Sequence, residues 1–435
     1  MARLHCPCCL PLLGLLHFAA FCSGAEFFSD APAESQAEKA AGAQESSLGP
    51  LETEPQRQVV QMELKGQDDT EPKLGYGTCQ WLYPLEAAPE KKLQEPEYQS
   101  ENPIYYAAQF GDAEDNTFAF AIDESGGTGE GYNVVYVDEN NDNRFDPEKE
   151  RFEFSLSTRS DDVPRRIRLL VTAGGVTAPY HVNFTAFPYS DEKYLLEKTH
   201  ANLRNSSYYE GEAVLLGRRR KIAIADLDSN GLFNDVEHGL FKGDRFFVDL
   251  DGEGQMGSFP YGRYTRIEGV WYSMAASLDG SRVEITRAHP ALGKIEVPSQ
   301  ITEARLSSAT QPLDLKYVDS SDDAVVGTYR VQSVRLLAEG ELSDGWALRG
   351  SFLGREPELT VVAGQSTRLE AGLPLKVEPQ LVVDEGRTLG IRLQVTGTGG
   401  ESYRWSPRRG SSSRAGFEIL DSSGKQIASG QFEYG

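Results

Sequence analysis

Cysteine, histidine, basic charge and long apolar runs are all scarce in this chain of 435 residues. Four of the five cysteines (Cys6, Cys8, Cys9, Cys22) fall within the first 25 residues, so Cys79 stands alone beyond them and no internal disulfide can form there. Outside the same stretch only His181, His200, His238 and His289 remain, no two of them at the spacing of a zinc site. Neither H-E-x-x-H nor G-x-S-x-G occurs, which leaves zinc hydrolases and serine-elbow hydrolases without a signature. Lysine and arginine number 43 against 66 acids, a net charge of −23, and that field opposes nucleic acid as a partner. No segment after residue 25 has the roughly 18 apolar residues of a membrane-spanning helix. Helical periodicity is nearly absent too, with 191–203 the only stretch that fits it, and there Tyr194, Leu195 and Leu196 fit a strand equally well.

What is present begins with a leader. Arg3 and His5 precede an apolar run over 10–21, and Ser23-Gly24-Ala25 places small residues before Glu26, so residues 1–25 are expected to be a signal peptide. The expectation is an exported protein, periplasmic, cell-surface or extracellular. Size without disulfides suggests a bacterial envelope, where bound ions are one way to fasten loops. Residues 26–75, rich in Ala, Glu, Gln, Ser and Pro, read as a disordered acidic spacer.

The acid is not spread evenly. Residues 101–150 hold 13 acids against Arg144 and Lys149, a density that favours neutralisation by cations. Within this acidic part, 226–237 reads D-L-D-S-N-G-L-F-N-D-V-E. Oxygen ligands fall at positions 1, 3 and 5 (Asp226, Asp228, Asn230), Gly231 is at the turn, Leu232 offers its carbonyl, and Asn234 and Glu237 stand at positions 9 and 12. A hard cation takes about six to eight oxygens, and alternating short acids around a tight turn supply them. Two weaker copies also follow strand-like runs. One has Asp138, Asn140, Asp142, Arg144 at the carbonyl position and Asp146, with Glu148 or Glu150 to complete the shell. The other has Asp249, Asp251 and Glu253. The competing reading is that Asp, Asn and Gly only make turns between strands.

These loops resemble the calcium loops of EF-hand proteins. Because Lys221-Ile222-Ala223-Ile224-Ala225 alternates as a strand does, they are more similar to those of dockerins and thrombospondin type 3 repeats. The resemblance implies bound Ca2+ in a structural role, expected to fix loops along one edge of a sheet. Gly327-Thr328-Tyr329-Arg330, Gly399-Gly400-Glu401-Ser402-Tyr403 and Gly430-Gln431-Phe432-Glu433-Tyr434-Gly435 resemble an uncharacterised group of exported bacterial β-rich proteins, a likeness that implies architecture and no activity.

Short strand-like runs dominate the rest: 104–110, 117–122, 132–137, 151–157, 166–172, 180–187, 212–216, 221–225, 245–248 and 264–276, then an Asp279-Gly280 turn into 282–287. The expected fold is all-β and multidomain. A β-sandwich-like calcium-loop domain over 76–287 is followed by a linker or small β piece over 288–324. An immunoglobulin-like or transthyretin-like sandwich then spans 325–435. Gly252-x-Gly254-x-x-Gly257 has the spacing of a dinucleotide turn, but Asp249, Asp251 and Glu253 would repel pyrophosphate and Pro260 stops a following helix. The aromatic doublets Tyr105-Tyr106, Tyr208-Tyr209 and Trp271-Tyr272 fit a core better than a sugar platform, because alternate strand residues face inward. Arg218-Arg219-Arg220-Lys221 fits a solvated hairpin end. The functional expectation is a calcium-stabilised module that binds a polysaccharide or an envelope protein. The alternative is an extracellular polymer hydrolase using carboxylates that spacing does not single out.

Overall fold

Burial alternates along Ile104–Gln109 as the sequence pattern requires: Ile104, Tyr106 and Ala108 are buried, while Tyr105 and Ala107 are only partly covered; the neighbouring Thr117–Glu124 is buried almost throughout. The computed structural model describes residues 2–3, 51–66, 74, 79–89, 93–127, 131–154, 165–187, 200–236, 243–309, 311–316, 321–337, 346–352, 356–384, 388–407, 416–420 and 425–431. Among them every regular element is a strand, the sheets are overwhelmingly antiparallel, and none closes into a barrel. No helix there is long and apolar enough to cross a membrane. The expected signal peptide, apart from Ala2 and Arg3, lies outside the described residues, as do 191–199 of the helical stretch. Residues 200–203 of that stretch are strand.

The chain divides into two units. The first, Gln44–His289 with Ala309–Gln311, carries four sheets around one buried cluster. Phe118 and Phe120, Leu169 and Val182, Ile222 and Phe246, and Tyr272 and Ile285 each come from a different sheet and meet in that cluster. The expected run 264–276 is two strands, Tyr264–Ile267 and Val270–Ala276, turned by Glu268 and Gly269 at φ 46° and 79°.

Part of the supposed spacer belongs to this fold. Arg57–Gln61 pairs with Arg282–Arg287 and Glu63–Gly66 pairs with Ser207–Leu215, each closing the edge of a sheet. Low average hydrophobicity over 26–75 hid Val60, Met62 and Leu64, whose side chains join the core.

The second unit is built from Pro290–Ser308 and Pro312–Gly435. The stretch 288–324, expected to be a linker or a small β piece, carries strands Leu292–Glu296, Ile301–Ser307 and Pro312–Lys316 and most of Ser321–Val325, so it is part of this unit. An eight-stranded antiparallel sheet and a three-stranded sheet share one core, to which Ile295 and Ala324 contribute from the smaller sheet and Leu306, Val331 and Val334 from the larger. Glu401 is fully buried here. Its Oε1 accepts the Gly372 N–H at 2.6 Å and the Tyr403 hydroxyl at 2.8 Å. A Cβ at Gly397 would collide with this carboxylate, which gives the Gly-rich run before Glu401 its physical reason.

Glu401→Ala leaves the Tyr403 hydroxyl and the Gly372 N–H buried without an acceptor and is expected to cost about 2–4 kcal/mol, whereas Glu401→Gln keeps one acceptor oxygen and costs about half as much. Urea titrations of the two variants read the difference. Equal losses would mean that the negative charge, which both variants remove, and neither side-chain volume nor the retained acceptor oxygen, is what matters at this position.

Candidate metal centre

Ala225 ends the strand Arg218–Ala225 and pairs with Arg245, so the next residues outward, Asp226 and Asp244, come together across the strand pair. Asp226 is 1% exposed and Asp244 0%. One carboxylate oxygen from each of Asp226, Asp228 and Asp244 lies within 4.8 Å of the others, the only such grouping of Asp, Glu, His or Cys side chains among the described residues.

The loop is wound onto the Asp226 carboxylate. Its Oδ1 accepts the Ser229 N–H at 2.6 Å, and its Oδ2 accepts the Gly231 N–H and the Tyr180 hydroxyl, both at 2.7 Å. Asn205 donates from Nδ2 to the Asp226 carbonyl at 2.8 Å, and the Gly111 N–H donates to the Asn230 carbonyl at 2.8 Å. Ser229 and Gly231 both have positive φ, 60° and 80°. A Cβ on Gly231 would press on Val171 and on the backbone of Gly111. Asp244 is less well satisfied. Its Oδ2 accepts the Asp235 N–H at 2.7 Å, while Oδ1 is buried and accepts no hydrogen bond.

Burial pushes the Asp226 carboxyl well above the usual carboxylate range, and the charge of Asp228 pushes it further. Asp244 moves the same way through burial and the charges of Asp226 and Asp228. A protonated pair or a cation relieves this repulsion. Donors that are all carboxylate oxygens suit a hard divalent ion and not a thiolate- or imidazole-seeking metal. The residues therefore fit a metal ion. The orphaned Asp244 Oδ1 is what the fit rests on, since a buried acceptor left empty costs on the order of 1–3 kcal/mol.

The other residues expected in the 226 loop are placed differently. Asn230 turns its Oδ1 to the Leu232 N–H at 2.8 Å and its Nδ2 to Asp235 Oδ2 at 2.6 Å. Leu232 and Asn234 are half-buried beside Phe233, which packs in the core against Tyr209 with ring centroids 5.0 Å apart. Glu237 lies outside the described residues. Asp244 stands outside any twelve-residue register, and only the pairing of 222–225 with 245–248 could have pointed to it.

Three loops share one geometry. In each, the first aspartate accepts at least two backbone N–H groups of its own loop: Asp138 from Asp142 (2.9 Å) and Asn143 (3.0 Å), Asp226 from Ser229, Gly231 and, at 3.4 Å, Asn230, Asp249 from Gly252 (2.7 Å) and Gly254 (3.1 Å). Positions 4 and 6 are left-handed throughout: Asn141 and Asn143 (57°, 65°), Ser229 and Gly231, Gly252 and Gly254 (76°, 87°). Asn143 thus takes the conformation expected of glycine, as asparagine tolerates.

In the 138 loop Asn140 donates to Asp142 Oδ2 at 3.0 Å, Asp146 pairs with Lys149 at 3.3 Å, and Arg144 is exposed. Of the two acids expected to close it, Glu150 folds inward. Its oxygens accept the Glu139 and Asp146 N–H groups, and burial followed by the charge of Asp138 pushes it up to about 7. In the 249 loop Asp251 accepts the Glu253 N–H at 2.9 Å.

The loops do not line one edge. Strands Arg218–Ala225 and Arg245–Asp249 run antiparallel, so the 226 and 249 loops leave opposite ends of the same sheet. Arg220 is buried and not solvated: its guanidinium holds the Leu215 and Leu250 carbonyls, clamping the base of the 249 loop. The aromatic doublets pack inward, with Tyr106, Tyr208, Tyr209, Trp271 and Tyr272 all buried.

Asp244→Asn removes one charge from the cluster while keeping an acceptor for the Asp235 N–H. In EDTA it is expected to raise the unfolding midpoint, and an unchanged or lower midpoint would show that the three carboxylates do not repel. Glu150 has a second signature in EDTA. Its folded pKa is raised, so its contribution to stability is complete below the unfolded value of about 4.3 and is lost as pH rises through about 7. Midpoints measured from pH 5 to 8 should fall less steeply in Glu150→Gln than in the wild type.

No protein-family model matches this chain, and neither a curated protein nor a solved structure matches it, so the geometry of its own residues carries the functional reading.

Proposed function

We propose that this is an exported calcium-binding protein that acts by binding a partner, a polysaccharide or an envelope protein, with calcium as a structural element of its first unit. One observation carries the reading: three acidic side chains converge within 4.8 Å, and Asp244 keeps a buried oxygen that accepts no hydrogen bond. A calcium ion there would neutralise the cluster and supply the missing interaction. The loop sequence D-x-D-x-N-G supports calcium over magnesium, because flexible all-oxygen loops suit the larger ion, whereas magnesium holds its water more firmly. The paired left-handed positions of all three loops support descent of the acidic stretches from one loop type. The leader over 1–25 supports export, into surroundings where calcium is abundant enough to occupy even weak loops.

Thermal unfolding of the protein in EDTA and in millimolar calcium tests this. At about a hundred times its dissociation constant, a ligand adds about 2.7 kcal/mol, on the order of 5–10 °C for a unit of this size. The rise is expected in the wild type and should vanish in Asp244→Asn, whose fold is retained. Asp226→Ala also loses a hub of backbone hydrogen bonds, so it is expected to be less stable even in EDTA. No calcium-dependent rise in the wild type would overturn the proposal, and a rise with magnesium alone would change the ion.

A further inference from the structure

The sheet that supplies Tyr180 carries a very different surface on its other face. Strand Val176–Phe187 buries Tyr180, Val182 and Phe184, so His181 and Asn183 face outward. Register places Arg168 opposite His181, and both Arg166 and Arg204 opposite Asn183. Directly opposed residues have Cβ atoms about 5 Å apart, and residues two apart along a strand lie about 7 Å apart. Three guanidinium-bearing positions and an imidazole thus share one small patch of a chain whose net charge is −23. A cavity of about 440 Å³ opens there, lined by Gly66, Arg166, Ile167, Arg168 and His181.

We propose that this cavity binds an oxyanion: a sulfate, phosphate or carboxylate group, either free or carried by an anionic polysaccharide. Arg166 is held in place by a hydrogen bond from Nη2 to the Ser206 carbonyl at 3.1 Å, and a Cβ on Gly66 would collide with that guanidinium. Arg168 is exposed and forms no ion pair among the described residues. Glu139 Oε1 accepts the Arg168 main-chain N–H at 3.3 Å. His181 Nδ1 is buried without a hydrogen-bond partner. Burial and the two arginines hold the ring below its usual pKa, so at neutral pH it meets an anion as a neutral donor. Arginine forks match oxyanion geometry and hydrogen-bond it with charge assistance. None of the lining residues belongs to the acidic loops, so this site stands or falls apart from the calcium reading.

The test is calorimetric titration of the full chain at low ionic strength, in calcium-containing buffer, with sodium sulfate, dextran sulfate and uncharged dextran. Sulfate is expected to bind, and Arg168→Gln, at an exposed position that leaves the fold intact, should weaken binding about tenfold. Gly66→Ala, which displaces the Arg166 guanidinium without changing any charge, should weaken it as well. Dextran sulfate binding much more tightly than sulfate identifies a polymer substituent as the ligand, and equal affinity per group identifies a free oxyanion. Absence of binding by both anions, or binding untouched by Arg168→Gln, overturns the proposal. So does equal binding of uncharged dextran.

Discussion

The desolvated carboxylate of Asp226 is the constraint around which the first unit is arranged. It sits where a strand ends, and it draws in donors from its own loop, from Tyr180 on another sheet and, through its carbonyl, from Asn205. Removing a carboxylate from water is costly unless its oxygens are filled, so the surrounding strands must deliver those donors at hydrogen-bond distance. The packing follows from that demand. Gly231 lies close to Gly111 and Val171, and Phe233, two residues further on, reaches the core against Tyr180 and Tyr209. A loop that looks like a surface turn in sequence is thereby a joint between sheets.

The second unit solves a related problem with Glu401, a buried carboxylate that closes on the backbone of Gly372 and on Tyr403. In both units an acid placed among glycines fixes a turn that no disulfide fastens. The difference lies in what surrounds it. Glu401 has no acidic neighbour within its hydrogen-bonding set, whereas Asp226 faces Asp228 and Asp244, so charge accumulates at one joint and not at the other.

Much of the fold was legible because short apolar runs between turn residues mark strands, and 132–137, 221–225 and 245–248 are strands where such runs place them, buried almost throughout and not on alternate residues. The strands that escaped notice are short or polar, such as Gln80–Leu82 and Met256–Pro260, or sit in a stretch whose composition masks them, as Val60 and Met62 do. The acidic loops were legible residue by residue, since the order of Asp, Asn and Gly dictates the turn. Asp244 was not, because it is set by the register of two strands and not by spacing along the chain. Arg220 escaped for a related reason: a run of four basic residues reads as solvated until strand alternation turns one of them inward.

In each of the three acidic loops the leading aspartate already satisfies two backbone N–H groups of the turn, so the shape is held by the chain itself. A loop of this kind can shed its outer ligands one at a time and remain the same turn. The 249 loop, which has no acid at positions 9 and 12, still shows the left-handed pair at Gly252 and Gly254. Copies of such a motif can therefore drift between ion site and plain connector at little cost to folding, which gives a duplicated loop room to diverge.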